Sequence, residues 1–157
     1  MQNIIEYLIK ERKTISTMES CTGGAIANAI TNIPGASEVF MYSAVTYSND
    51  YKIKMGVSSS TIDKYTVYSE EVAKEMSKVI SSYTNSDYGV GVTGKLNRAD
   101  INNPYGQDNL VYISIYDKKN NTYKTDTITC TKDTRPENKE LVIEKVVSIM
   151  NNIIKEQ

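Results

Sequence analysis

Apolar residues three or four positions apart, which mark one face of a helix, alternate along this chain with short runs rich in Val, Ile, Tyr and Thr, which favour strands. The predicted helices lie at 3–12, from the Ser20 turn to about Thr31, from Ser48 to Gly56, from Ser69 to about Tyr83, and over 137–155. The predicted strands lie at about 14–18, 39–47, 87–93, 109–116 and 123–131. This order, α-β-α-β-α-α-β-β-β-α, predicts an α/β or α+β sandwich with helices on the faces of a mixed sheet.

Two of these helices have apolar stripes long enough to face a core. The predicted stripes consist of Val72, Met76, Val79, Ile80 and Tyr83 in the helix after Ser69, and of Val142, Val146, Ile149, Met150 and Ile153 in the last helix. Between the elements, we expect a helix stop at Pro34-Gly35, a small loop at Ser58–Ser60 and a hairpin turn at 118–121.

The polar segment 94–108 does not fit this pattern. It contains Pro104 and Gly106 and shows no apolar periodicity. Loops of this length inside a compact domain are usually functional or mobile, so we expect one of those two roles for it.

Composition and charge narrow the class of protein. With 39% hydrophobic and 24% charged residues, the 157 residues are typical of a single soluble domain, 1–157. The net charge of −1 argues against nucleic-acid binding, and no apolar stretch approaches the roughly 20 residues that span a bilayer. The first residues lack the basic start and apolar core of a signal peptide, so we expect a cytoplasmic protein.

The chain has no histidine and only two cysteines, Cys21 and Cys130. A Cys/His zinc site is therefore excluded, and no clustered Asp/Glu motif suggests a magnesium site, so we expect no metal. A cytoplasmic chain of this size does not need a disulfide either, and we expect both thiols to be free.

The segment Glu19–Gly24 carries the strongest signal for chemistry. A strand-like run leads into it and a helix of small residues leads out, so a Ser, a Cys and a Thr lie at a strand-to-helix turn. Backbone N–H groups at a helix start are free to bind an anion or an oxyanion. The sequence therefore predicts a site at this turn, with Ser20 as a candidate nucleophile.

A serine nucleophile needs a base, and this chain offers no histidine. A lysine whose pKa is lowered by burial is the main substitute. Lys52 is the candidate because it lies one turn into a helix that directly follows a strand. Tyr47, at the end of that strand, could orient the lysine or pass a proton.

Other interpretations of these residues stay open. Ser20 or Thr22 also fits a helix N-cap, which stabilises a helix by about 1 kcal/mol, and Lys52 fits an ordinary exposed position. Cys21 is a rival nucleophile, since a helix N-terminus lowers the pKa of a thiol, although small cysteines are usually buried. The run Gly89–Gly94 matches G-x-G-x-x-G, but its glycines lie within a predicted strand and a loop follows, so we reject a dinucleotide site.

Several spaced blocks extend over nearly the whole chain. They are 17–24 (TMESCTGG), 33–37 (IPGAS), 45–52 (VTYSNDYK), 56–57 (GV), 67–73 (VYSEEVA) and 91–94 (GVTG). Together, and in this order, they resemble the CinA C-terminal domain family, whose members include nicotinamide-nucleotide amidohydrolases, also called NMN deamidases. Blocks in a fixed order are far more specific than any single motif.

The resemblance implies a three-layer α/β/α sandwich, in a stand-alone form, that hydrolyses the carboxamide of nicotinamide mononucleotide (NMN) to nicotinate mononucleotide and ammonia. It implies that Ser20 is the nucleophile and Lys52 its base, with Tyr47 nearby, and that N–H groups around Cys21 to Gly23 stabilise the oxyanion. The substrate-binding residues that it implies are Cys21, Thr22, Gly23, Thr93, Gly94 and Arg135. It also implies a nucleotide substrate as partner, no cofactor, no metal, and a homo-oligomer, a dimer.

The chain departs from the family pattern in two places. Residues 95–109 replace a Gly- and Pro-rich segment of active relatives, and the family's Gly-Asp-Arg stands here as 132–135, with Lys139 in place of a second arginine. Arg98 and Arg135 remain able to hold a phosphate in a bidentate manner. Two alternatives stay open: a nucleotide-binding or regulatory protein that keeps the fold without turnover, and a hydrolase of a different amide.

Overall fold

The structure is a computed structural model that describes residues 1–156. The helices are α1 (Gln2–Glu11), α2 (Ala25–Thr31), α3 (Asn49–Met55), α4 (Ser59–Tyr65), α5 (Glu70–Thr84) and α6 (Arg135–Lys155). The strands are β1 (Ile15–Glu19), β2 (Phe40–Val45), β3 (Tyr88–Gly94), β4 (Leu110–Asp117) and β5 (Thr122–Thr129). A 3-10 turn at Ala36–Glu38 precedes β2. Apart from α4, this is the predicted order of elements. Their ends lie within two residues of those predicted, except that α2 begins at Ala25, five residues after Ser20.

Within residues 1–156, the five strands form one mixed sheet in the order β2-β1-β3-β4-β5. Strand β1 pairs in parallel with both β2 and β3, whereas β3, β4 and β5 are antiparallel. Glu19 at the end of β1 lies opposite Val45 of β2 and Val92 of β3, so the three parallel strands end at one edge of the sheet. Ligand sites of open α/β sheets usually lie at this carboxyl edge.

Helices cover both faces of the sheet and give three layers. On one face, α1, α2 and α6 pack on the apolar side chains of the central strands, among them Ile15, Val90, Val92, Ile113 and Ile115. On the other face, α5 packs mainly on β3, β4 and β1, and a smaller apolar core there includes Met18, Ala44, Val72, Met76 and Ile80. The predicted α/β sandwich is confirmed.

Two glycines of β3 explain how closely α5 lies on the sheet. A Cβ at Gly89 would lie 1.9 Å from the carbonyl oxygen of Ser77, and a Cβ at Gly91 would lie 2.3 Å from that of Ala73. A larger residue at either position would push the helix away from the strand. The run that matches a dinucleotide fingerprint therefore lies inside a strand, as predicted, and serves helix–sheet packing.

The predicted burial of Tyr83 is wrong. Because α5 approaches the sheet through small side chains such as Ala73, Ser77 and Ser81, its buried face is turned away from Tyr83. The tyrosine ring is 68% exposed and contacts Tyr42 of the edge strand β2, with 5.8 Å between the ring centroids. The remaining members of the predicted stripe are buried or partly buried.

The predicted loop at Ser58–Ser60 is also wrong, because helix α4 begins there. None of the residues of α4 is buried, so the helix has no apolar stripe that the sequence could reveal. It is held instead by Glu75 of α5, whose carboxylate accepts hydrogen bonds from the Ser58 N–H at 2.6 Å and from the Thr61 hydroxyl at 2.5 Å.

The last helix, α6, begins two residues before its predicted start. Thr134 caps it, since its hydroxyl accepts a hydrogen bond from the Glu137 N–H, and Pro136 fits the first turn, where no N–H is needed. The stripe predicted for this helix is buried. Among the helices in residues 1–156, none combines the length and the apolarity needed to cross a membrane.

Candidate active site

The carboxyl ends of the three parallel strands bring together segments that are far apart in the sequence. Strand β1 leads into the turn at Ser20, β2 into Tyr47 and the start of α3, and β3 into Lys95. These segments line a cleft of about 640 Å³, together with Tyr68, Arg135 and the loop 96–103. The sequence predicted the meeting of the Ser20 turn with the segment 47–52, and the structure shows it.

Ser20 and Lys52 form a direct hydrogen bond in this cleft. The Lys52 ammonium donates to the Ser20 Oγ at 3.0 Å and to the backbone carbonyl of Thr46 at 2.7 Å. Lys52 is 1% exposed and Ser20 is 5% exposed, so neither is the ordinary surface residue that the sequence also allowed. The Thr46 carbonyl fixes the lysine, and the lysine faces the hydroxyl.

Burial brings the pKa of Lys52 close to neutral pH. Desolvation lowers the pKa of Lys52 from 10.5 to about 8, while the Cys21 thiol and the Asp100 carboxylate oppose this shift. No carboxylate lies in a salt bridge with Lys52 within residues 1–156 to restore the usual value. At pH 8, Lys52 is therefore a neutral amine in about half of the molecules.

Helix α3 positions Lys52 through both of its ends. The Ser48 hydroxyl caps the helix by accepting the Tyr51 N–H at 3.3 Å, and Gly56 ends it with a φ of 116°, which favours glycine. Both signals were predicted from the sequence. They fix the helix so that Lys52, three residues after its first residue, points inward rather than to solvent.

The turn after Ser20 is held by Glu19, which sequence reasoning did not single out. The Glu19 carboxylate is fully buried and accepts the N–H groups of Gly24 at 3.1 Å, Ile26 at 3.1 Å and Ala27 at 2.8 Å. The start of α2 is therefore closed by a side chain, not open as expected. An acidic residue just before a helix of small residues was the signal that could have revealed this cap.

Two other N–H groups of the turn remain available. The Gly23 N–H donates to the Ser20 carbonyl at 3.0 Å, so it closes the turn. Within residues 1–156, the N–H groups of Cys21 and Thr22 donate to no protein acceptor. Of the three residues expected to stabilise an oxyanion, Cys21 and Thr22 thus keep a free donor.

The side chains of Cys21 and Thr22 are both buried. Burial raises the pKa of the Cys21 thiol to about 12, which disfavours the thiolate that a cysteine nucleophile requires. Cys21 and Cys130 are both free thiols. The Thr22 hydroxyl has no hydrogen-bond partner in the described part of the chain. The Cys21 thiol is therefore unsuited to act as a nucleophile, whereas the Ser20 hydroxyl lines the cleft.

Tyr47 and Arg135 meet at the mouth of the cleft. The Arg135 guanidinium donates to the Tyr47 hydroxyl at 3.2 Å, and Tyr47 is 65% exposed. The lysine that Tyr47 was expected to orient is held instead by the Thr46 carbonyl. Lys139, one turn into α6, also reaches the Ser20 turn, since a Cβ at Gly23 would lie 3.5 Å from its Nζ.

Thr93 and Gly94 play different parts at the end of β3. The buried Thr93 hydroxyl donates to the Val67 carbonyl at 2.9 Å, behind the cleft. Gly94 lines the cleft, and a Cβ there would lie 2.5 Å from the Leu110 carbonyl oxygen. Gly94 is thus close to the ligand space, and Thr93 supports the wall.

The polar loop after Gly94 forms the opposite wall of the cleft. Asp100 accepts hydrogen bonds from the Tyr68 hydroxyl and, at 3.0 Å, from the Asn103 amide. Asn103 in turn accepts from the Asn49 amide of α3 at 3.0 Å. Sequence reasoning identified the loop but not these four residues, because their partners are distant in the sequence.

A second charged group, Lys95, is buried at the base of this wall. Its ammonium pairs with Asp108 at 2.9 Å, lies 5.3 Å from the centre of the Tyr68 ring, and is 2% exposed. The ion pair ties the two ends of the loop together. Within the described residues, no group of three or more His, Cys, Asp or Glu side chains is arranged to hold a metal ion.

Comparison with known proteins identifies the family. The family model of the CinA C-terminal domain matches residues 1–154. This chain belongs to the CinA C-terminal domain family. A competence-damage inducible protein of Alkaliphilus metalliredigens is 43% identical over 116 residues, which are 72% of this chain and 28% of that protein. One of Clostridium perfringens is 47% identical over 90 residues, 57% of this chain and 22% of that protein. The matched segment therefore spans about a quarter of the length of such CinA relatives.

Solved structures show the same fold. A CinA superfamily protein of Klebsiella pneumoniae superposes with a TM-score of 0.87 at 19% identity, covering 99% of this chain and 96% of that one. A competence/damage inducible protein of Agrobacterium tumefaciens gives a TM-score of 0.78 at 27% identity, covering 98% and 93%. The resemblance noted in the sequence and the α/β fold that it implied are confirmed.

Proposed function

We propose that this CinA-family chain hydrolyses the carboxamide of nicotinamide mononucleotide, releasing ammonia and nicotinate mononucleotide. The observation that carries the proposal is the 3.0 Å contact between Lys52 Nζ and Ser20 Oγ in the cleft. A buried lysine with a lowered pKa is the base that a serine nucleophile needs in a chain without histidine.

In the first step, the neutral Lys52 amine takes the proton of the Ser20 hydroxyl while Oγ forms a bond to the carboxamide carbon. The amine has two protons and one lone pair, so it can donate to the Thr46 carbonyl and still accept from Ser20. The carbonyl oxygen becomes an oxyanion. The free N–H groups of Cys21 and Thr22 are suited to stabilise it, an effect of roughly 3–4 kcal/mol for a well-placed donor.

The tetrahedral intermediate then loses ammonia. As the C–N bond breaks, the Lys52 ammonium returns its proton to the leaving nitrogen, and an ester with Ser20 remains. Water attacks this ester, with Lys52 again taking a proton, and collapse releases the carboxylate and restores the Ser20 hydroxyl. The same lysine thus serves as base and acid in both halves, as microscopic reversibility requires.

The test is ammonia release from NMN by the purified protein and by the variants Ser20→Ala and Lys52→Ala. We expect turnover by the wild type and at least a 10³-fold loss in each variant, as for other nucleophile–base pairs. Cys21→Ser is the matched control for the turn and should keep activity, since the buried thiol takes no part. Full activity in Ser20→Ala contradicts the mechanism. Binding of NMN in calorimetry without ammonia release favours a binding protein instead.

We further propose that the protein is a homodimer, as the family resemblance implies. Edge strand β2 exposes Met41, Tyr42 and Val45, each about half accessible, and so offers an apolar surface with an unpaired strand edge. Light scattering during gel filtration measures the mass directly, and a monomer at micromolar concentration contradicts this proposal.

A further inference from the structure

The cleft places a fixed carboxylate opposite the Ser20–Lys52 pair. Three donors hold Asp100: the Tyr68 hydroxyl, the Asn103 amide at 3.0 Å and the Asn102 N–H at 2.9 Å. These bonds lower the pKa of Asp100 to about 2, so it carries a negative charge throughout the working range of pH. Oδ2 accepts two of these bonds, but Oδ1 accepts only the Asn102 N–H and keeps a further lone pair, so the group is not closed to a ligand.

Asp100 lies within electrostatic reach of the reacting groups. Its charge acts on Lys52, and both Asp100 and Ser20 line the same cleft. Within residues 1–156, Asp100 has no salt-bridge partner, whereas the other carboxylate of the loop, Asp108, is paired with Lys95. The cleft therefore contains an unpaired negative charge close to the serine.

The cleft also contains positive charge. Arg98 and Arg135 are among its lining residues, and the Arg135 guanidinium donates a hydrogen bond to Tyr47 at the mouth. A ligand that carries a positive charge near Ser20 and a separate negative charge would match both kinds of group. A neutral amide would leave the Asp100 charge without a counter-charge.

We propose that Asp100 is a specificity-determining residue of this cleft, whose charge favours an amide on a positively charged ring over the same amide on a neutral ring. This inference rests on the proposed function, because it assigns the carboxamide to Ser20. With the carboxamide there, the pyridinium charge faces the Asp100 carboxylate, and a phosphate on the N1 substituent extends towards Arg98 and Arg135. Asp100 acts as a specificity-determining residue and takes no part in proton transfer.

A purely structural role for Asp100 would be to anchor the loop through Tyr68 and Asn103. The two roles can be separated, because Tyr68→Phe removes one anchor and keeps the charge, whereas Asp100→Asn keeps acceptor and donor atoms and removes the charge. Asp100→Glu keeps the charge on a longer side chain. If Asp100 selects cations, the preference is lost only when the charge is removed. If Asp100 only anchors the loop, the effect of a variant depends on the hydrogen bonds that it removes.

The experiment compares two ligands of the same shape, 1-methylnicotinamide, which is a cation, and 3-methylbenzamide, which is neutral. Their dissociation constants are measured by calorimetry with the Ser20→Ala protein, in which no amide turns over, alone and combined with each loop variant. We expect the cation to bind about five- to tenfold more tightly, a ratio typical of one partly solvated ion pair. The ratio should fall to about one in Asp100→Asn and persist in Tyr68→Phe and Asp100→Glu.

Two results overturn the inference. One is a ratio of the two dissociation constants near one in the Ser20→Ala protein alone, and the other is an unchanged ratio when folded Asp100→Asn is added to it. Thermal unfolding confirms that each variant is folded, and Asp100→Ser, which also removes the charge, takes the place of Asp100→Asn if that variant does not fold. Ammonia release by the wild type is scored separately. If NMN is hydrolysed but the cation is not preferred, only the proposed role of Asp100 is wrong. If the cation is preferred but NMN is not hydrolysed, only the proposed hydrolysis is wrong.

Discussion

The Lys52 ammonium lies 3.0 Å from the Ser20 hydroxyl, although the two residues are 32 positions apart in the chain. The contact forms because β1 and β2 are parallel neighbours and end at the same edge of the sheet. Strand β1 then leads into the Ser20 turn, and β2 leads into α3, which carries Lys52. The contact between the two side chains is thus a product of strand order.

The rate of hydrolysis should rise with pH through the titration of Lys52. Only the neutral amine can accept the Ser20 proton, and the pKa of Lys52 is lowered to about 8. We expect kcat/KM for ammonia release to increase below that value and level off above it. Lys52→Arg should be inactive at every pH, because a guanidinium does not lose its proton in this range. A profile without a limb near pH 8 contradicts the role of Lys52.

Lys52 should also lower the stability of the protein at neutral pH. The pKa of Lys52 is 10.5 in the unfolded chain and about 8 in the folded protein. Above about pH 10.5 the buried lysine therefore costs no stability, and stability is lost as the pH falls from 10.5 through about 8. At pH 7, the buried charge costs ~3 kcal/mol, partly offset by its hydrogen bonds. We expect Lys52→Met to raise the free energy of unfolding in urea by about 1–3 kcal/mol at pH 7.

The gain from Lys52→Met should shrink as the pH rises from 8 and vanish above about pH 10.5, where the wild-type lysine is largely neutral in both states. The measurement compares the free energies of unfolding of the two proteins at each pH. This comparison cancels the effects of Cys21 and Tyr68, whose pKa values are raised by burial and which therefore lower stability at high pH in both proteins. A wild type more stable than Lys52→Met at pH 7 contradicts this account of the site.

Glu19 should support both the fold and the placement of Ser20. Replacing it by alanine leaves the N–H groups of Gly24, Ile26 and Ala27 buried without an acceptor, at a cost of about 2–4 kcal/mol. We expect Glu19→Ala to unfold at a lower urea concentration than the wild type. Its kcat for ammonia release should also fall, because the turn that carries Ser20 is no longer held. Glu19→Gln, which keeps one acceptor oxygen, should recover part of both. Equal stability of all three proteins rules out the capping role.

Arg135 should contribute to binding of the phosphate and not to the chemical step. We expect Arg135→Gln to raise KM for NMN about tenfold with little change in kcat, since a guanidinium–phosphate contact is made equally before and during reaction. Nicotinamide riboside, which lacks the phosphate, should show a much smaller change. Arg12→Gln, at the residue that follows α1, is the matched control, since Arg12 does not line the cleft. An equal effect on both substrates argues against a phosphate contact.

The sequence was informative wherever local chemistry decides the structure. The Ser48 cap and Gly56 stop of α3 were readable because their interactions lie within one helical turn. The stripe of α6 was readable because it alternates with charged residues. Helix α4 was missed because it is held by Glu75 and not by apolar residues of its own.

Some residues of the candidate site could likewise be predicted from the sequence and others could not. The absence of histidine and the family-like blocks were enough to pair Ser20 with Lys52 from the sequence alone. Asp100 and Tyr68 were not predicted, since their hydrogen bond joins a loop to a segment 32 positions away. The closure of α2 by Glu19 likewise reversed the expectation of an open helix start.

By itself, the sequence determined the fold class and every α-helix and strand except α4, and it singled out Ser20 and Lys52 as candidates for a nucleophile and its base. These follow from spacing and residue type, which act over a few positions. The tertiary structure decided whether Lys52 is buried, which N–H groups of the turn stay free, and which charges face each other across the cleft. Those properties depend on solvent exclusion and on distances between strands, and both arise only when the sheet brings remote segments to one edge.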